Sequence, residues 1–123
     1  MKGEWILEKQ KFFFENLKCI KDYWVNKGIN NLDPNADLRL SDVEMDIQEL
    51  QKIISTQGQK DAFKKVLNDL IEGVFHSTLV MIDGGDALAD KMKIDLVDFD
   101  TGESLKGKTA LHEEFFGYLL DNE

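Results

Sequence analysis

From Asp61 to Ile82 the chain keeps a helical rhythm that leaves few folds open to it. Phe63, Leu67, Leu70, Val74 and Met81 fall on one helical face, and Val66, Ile71, Phe75, Leu79 and Ile82 on the next. From Leu70 onward apolar side chains occupy nearly every side, which predicts a buried central helix over 61–82. Asp83-Gly84-Gly85-Asp86 then stops it, because paired glycines accept backbone angles that other residues avoid. Gly73 and Ser77, small and one turn apart, would let another helix come close. That packing would offset the roughly 1 kcal/mol that Gly73 costs in helix propensity.

The rest of the chain supplies elements to surround this helix. A first helix is expected from about Gly3 to Lys27, with Ile6, Phe13, Leu17, Ile20 and Trp24 as its buried stripe and Phe12, Cys19 and Tyr23 widening it. Gly28 is placed to end it as a left-handed cap. After the loop "NLDPNADLRL", the stretch "SDVE" reads as a capping box of Ser41 and Glu44 opening a second helix over about 42–56, which Gln57-Gly58 would close. Asp86 can cap a further turn over "ALAD". Ile94 and Leu96 alternate with Asp95 before Val97 and Phe99 change phase, and "DTGE" and "SLK" follow, so a short β-hairpin is expected near 93–107. Thr109 can cap a last helix that buries Leu111, Phe115, Tyr118 and Leu119. The expected fold class is therefore α+β, predominantly helical. About four helices surround the central one, with the small hairpin beside them, in a single domain over 1–123.

Hydrophobic residues make up 42% of the chain and charged residues 32%, a composition that can bury a core. Cys19 is the only cysteine, so no internal disulfide framework exists. The longest apolar run, "VFHSTLVMI", is too short and polar to span a bilayer, and Glu4 and Glu8 interrupt the start where a signal peptide would be apolar. These features lead us to expect a cytoplasmic protein without membrane association.

The net charge of −9 is unevenly spread. Residues 1–28 hold six lysines against four acids, whereas residues 83–103 hold six aspartates and Glu103 against Lys91 and Lys93. Such an acidic segment disfavours a nucleic-acid partner and suits a basic protein. Asp83, Asp86, Asp90, Asp95, Asp98, Asp100 and Glu103 are the expected contact residues.

Three constellations bear on catalysis. Asp100-Thr101-Gly102 spells the short motif of aspartic proteases, but those enzymes pair two such carboxylates within a β architecture, and the tripeptide is also ordinary turn chemistry. A turn is the expected role. The aspartates at 83, 86, 90, 95, 98 and 100 do not match a calcium-loop spacing. His76, expected as a core histidine, and His112, next to Glu113 and Glu114, lack the one-turn spacing of a helical zinc pair. No catalytic residue, cofactor or metal is therefore assigned. The leading expectation is a non-catalytic acidic binding protein. A small metal-dependent enzyme using Asp83, Asp86, His76 and His112 is one alternative. A homodimer joined through Trp5, Phe12 and Phe14 of the first helix is the other.

The stretches "HSTLVMIDGGDALADKMKIDLVDFDTGESL" and "LHEEFFGYLL", within 76–120, resemble a family of small uncharacterised bacterial cytoplasmic proteins. In that family a central helix runs into "IDGG", followed by a short strand and a terminal "LHE-F" helix. The resemblance implies a fold and no particular reaction. In general style (small, acidic, helix-rich) the chain is also similar to immunity proteins that neutralise bacterial toxins.

Overall fold

The computed structural model describes residues 2–122, with side chains from residue 8 onward. Among the described residues four α-helices follow one another: α1 (Lys2–Asn30), α2 (Glu44–Ile53), α3 (Gln57–Ile82) and α4 (Leu111–Asp121). A short 3-10 helix, Ala87–Asp90, lies between the last two. Among the described residues no helix is long and apolar enough to cross a membrane. The chain divides into two compact units, one made of residues up to Cys19 with Gly73 onward, the other of Ile20–Glu72.

The first unit owns the principal core. Phe14, Leu79, Leu111, Phe115 and Leu119 are buried together, with Phe13, Leu17, Phe75, Ile82, Leu96 and Tyr118 packed around them. Leu111, Phe115 and Leu119 recur every fourth residue, so α4 buries one clean stripe, as its spacing predicts. Phe14 meets Phe115 at 5.2 Å between ring centroids and Tyr118 at 5.9 Å, tilted geometries that aromatic pairs favour. Gln10 is also buried and donates to the Leu105 carbonyl, which ties the segment before α4 to α1.

The expected hairpin does not form. The described residues contain no strand, only an isolated antiparallel bridge between Val97 and Ser104. The Asp98 amide donates to the Glu103 carbonyl and the Leu105 amide to that of Leu96, but the ladder goes no further. The aspartates explain why. Asp98 accepts from the Asp100 and Thr101 amides, and Asp95 accepts from its neighbour Leu96 and from the Ser104 hydroxyl. Local side-chain bonds of this kind compete with strand pairing. The fold is helical rather than α+β.

The second unit departs from expectation in another way. Its buried side chains are Lys21, Val25, Leu32 and Leu38, and α2 buries none of its residues. The buried face of α1 runs through Gln10, Phe14, Lys21 and Val25, one position away from the expected stripe, so Ile20 and Trp24 are exposed, as is Cys19. Lys21, only 4% exposed, forms an ion pair with Glu72 at 2.8 Å. Gly28 continues the helix instead of ending it: a Cβ there would lie 2.8 Å from the Leu67 side chain, so its smallness permits a close approach. Nor is α3 a buried central helix. Val66, Leu70 and Val74 are exposed, Leu79 is its one buried residue, and open space surrounds Gly73.

Helix ends follow specific bonds. The Ser41–Glu44 capping box does not assemble; Ser41 accepts from the Val43 amide, and α2 begins at Glu44. The reciprocal pair forms instead at α3, where Thr56 Oγ1 accepts from the Gln59 amide and Gln59 Oε1 accepts from the Thr56 amide. At the far end of α3, Gly84 takes a φ of 78°, its amide donates to the Met81 carbonyl, and the Gly85 amide donates to that of Val80. That is the double-bonded glycine cap that ends many helices.

Candidate functional site

The end of α3 and the start of α4 bring together three residues that lie far apart in sequence. Ala110 occupies the cap position of α4 and its side chain offers no oxygen. Thr109, expected in that role, bonds Glu114. The orphan amides of the first turn are met by Asp83, whose Oδ2 accepts from the His112 N–H at 3.0 Å and contacts His112 Nδ1 at 2.8 Å. The Asp83 side chain is only 6% exposed, and its Oδ1 is buried without a hydrogen-bond partner among the described residues. Burial pushes this carboxyl up, but the His112 and Leu111 amides and the His112 ring outweigh it and hold the group below its ordinary range. An ionised carboxylate can only accept, so with Asp83 Oδ2 2.8 Å from the ring the contact places the proton on His112 Nδ1, which donates. The His76 ring, on the exposed side of α3, stands perpendicular to that of His112 with 5.3 Å between centroids.

Of the remaining expected contact residues, Asp86 accepts from the Leu88 amide and caps the 3-10 helix. Asp86, Asp90, Asp95 and Asp100 are exposed, while Glu103 is half-buried. Asp98 pairs with Lys9 at 2.7 Å. The Lys9 ammonium and the Thr101 amide hold its carboxyl below the usual carboxylate range. Asp100-Thr101-Gly102 forms the expected turn, with Gly102 at a φ of 72° and its amide donating to the Asp98 carbonyl. At the tip of this turn Phe99 is 97% exposed between two aspartates. Asp98 thus serves the turn from both sides, through Lys9 and through its own backbone bonds.

The first unit also contains an open groove of about 940 Å³ along α1 and α4. Phe12 and Tyr118 line it together with Glu8, Glu15, Glu113 and Asp121. Sequence reasoning missed this second acidic surface because its carboxylates come from helices a hundred residues apart. The spacing of Glu8 and Glu15, two turns apart on α1, is the signal that could have found half of it.

The residues of the metal-enzyme alternative assemble in part. Asp83, His112 and His76 come together, whereas Asp86 is engaged at its own turn. Among the described residues no group of three or more His, Cys, Asp or Glu side chains is placed to hold a metal ion. For the homodimer alternative, Phe12 is exposed, Phe14 is buried in the core, and Trp5, like Ile6, lies outside the described side chains. Comparisons with protein-family models, with curated proteins and with solved structures gave no match.

Proposed function

We propose that this chain is a non-catalytic acidic binding protein of the cytoplasm that docks a basic protein through the turn carrying Phe99. The observation that carries the reading is a fully exposed phenylalanine on a turn that is already fixed. Phe99 makes no core contribution that would explain its presence, and the turn beneath it is held by Gly102, by Asp98 and by the Lys9 ion pair. A rigid aromatic anchor loses little entropy on binding, and central aromatic anchors dominate many interfaces. Asp100 beside it is exposed and negative, and Asp95, which Lys106 approaches at 3.8 Å, adds to the acidic segment, which would steer and select a basic surface. A toxin domain, as in an immunity-type protein, or a regulated enzyme fits this chemistry, and nucleic acid does not.

Zero-length carbodiimide coupling in a lysate of the source cells tests it, since that reagent joins carboxylates to lysine amines. Mass spectrometry should find lysines of one basic protein joined to Asp90, Asp95 or Asp100. Phe99→Ala should weaken binding of that protein by about ten-fold or more, and raised salt should weaken it further. Coupling that survives Phe99→Ala unchanged, or recovery of chaperones alone at low salt, would sink the proposal.

A further inference from the structure

We propose that His76 and His112 form an open surface site for one divalent transition-metal ion of the zinc class, with Asp83 orienting the second imidazole. This goes beyond the binding role above and does not depend on it. The spacing permits it: two imidazoles sharing a tetrahedral ion at about 2.0–2.1 Å from each nitrogen have ring centres about 5 Å apart. Here the distance is 5.3 Å with the rings at 90°, and the exposed His76 would turn about its side-chain bonds to aim a nitrogen at the ion. The tautomer fits as well. With Nδ1–H donated to Asp83, the lone pair of His112 lies on Nε2, on the opposite edge of the ring. A buried carboxylate behind a ligating histidine is the usual second support of such sites, fixing ring orientation and raising ligand basicity.

Asp83 supplies a second reason for a cation here. Its side chain is 6% exposed and its Oδ1 has no hydrogen-bond partner among the described residues. An ionised carboxylate behind the imidazole makes a positive ion on the far nitrogen electrostatically favourable through the ring. Imidazole nitrogen selects zinc, copper or nickel over magnesium and calcium, which prefer oxygen. Because only two protein ligands are present, water or a group from a bound molecule would complete the coordination shell, as at open sites generally.

Titration calorimetry of the full chain with zinc chloride decides the matter, with magnesium chloride as comparator. One zinc per chain is expected and no magnesium. His76→Ala should weaken zinc binding at least ten-fold, and because His76 is exposed the variant should keep the parent melting temperature. Asp83→Asn should weaken it about ten-fold while both imidazoles remain. Nitrogen-15 spectra of the rings should show zinc shifting the Nε2 resonance of His112, a change that mere packing of the rings would not give. Absence of saturable binding up to millimolar zinc overturns the site. So does full affinity in His76→Ala, or loss of binding in Cys19→Ser, which would move the ion to the exposed thiol.

Discussion

The two compact units use similar apolar material to different ends. In the unit built from the start of α1, the end of α3 and α4, aromatic rings interlock around Phe115, and α4 puts every fourth residue into the core. In the Ile20–Glu72 unit, Ile20, Tyr23, Trp24, Val43, Met45, Ile53, Val66 and Leu70 are exposed, and the order comes from a few specific contacts. Lys21 pairs with Glu72, Gln51 donates to the carbonyls of Asn31 and Asp33, and Leu67 fits against Gly28. The contrast teaches that helical periodicity reports which face is apolar, while burial depends on what other helices bring to that face. One unit is held mainly by interlocked aromatic packing, and the other by the smaller apolar set of Val25, Leu32 and Leu38 together with polar and steric pins.

The largest effect should separate the units most sharply. Phe115 is among the most deeply buried side chains and contacts three other aromatic rings, so Phe115→Ala should cost about 3–5 kcal/mol in urea unfolding. Leu70, 60% exposed on the other unit, should change stability by less than about 0.5 kcal/mol when replaced by Ala. A loss above 1 kcal/mol for Leu70→Ala would mean that this face is covered in solution, and the contrast between the units would fail.

A smaller effect tests the pins themselves. Lys21 lays its aliphatic stem in the interior and its ammonium on Glu72, which is itself 36% exposed and can still reach water. Lys21→Ala removes both stem and charge and should cost about 2–3 kcal/mol. Lys21→Met keeps the stem and removes a buried charge that had to be desolvated, so it should be neutral within about 1 kcal/mol or stabilising. Equal losses in the two variants would show that the ion pair, and not the stem, holds this unit.

The same contrast explains what could be read from the chain. α4 was legible because Leu111, Phe115 and Leu119 give a three-residue stripe longer than the Phe116–Leu120 pair beside it, and the end of α3 because Gly84 and Gly85 specify their own hydrogen bonds. The phase of α1 was not, because its buried face includes Gln10 and Lys21, whose burial rests on partners more than fifty residues away. The expected Ser41–Glu44 capping box does not close, since α2 begins beyond Ser41. The reciprocal pair forms at Thr56–Gln59, where none was expected, and Gln57 and Gly58 open α3 rather than end α2. In the candidate site, the turn at Asp100-Thr101-Gly102 was readable from local chemistry. The meeting of Asp83 with His112 was not, because it arises from Ala110 leaving the α4 cap to another element.

The finest distinction lies between two glycines in helices. At Gly73 a methyl group would meet nothing within 4 Å, so Gly73→Ala gains helix propensity unopposed and should stabilise by about 0.5–1 kcal/mol. At Gly28 the same methyl would lie 2.8 Å from Leu67 Cδ1. Leu67 can swing its terminal carbon aside, so the clash should cancel the propensity gain and leave Gly28→Ala neutral or destabilising by about 0.5 kcal/mol. Thermal melts of the two variants should therefore shift in opposite directions, or at least differ by about 1 kcal/mol in favour of Gly73→Ala. If Gly73→Ala is instead the worse of the two, another helix occupies that open face in solution, and the apparent looseness there belongs to an interface and not to a free surface.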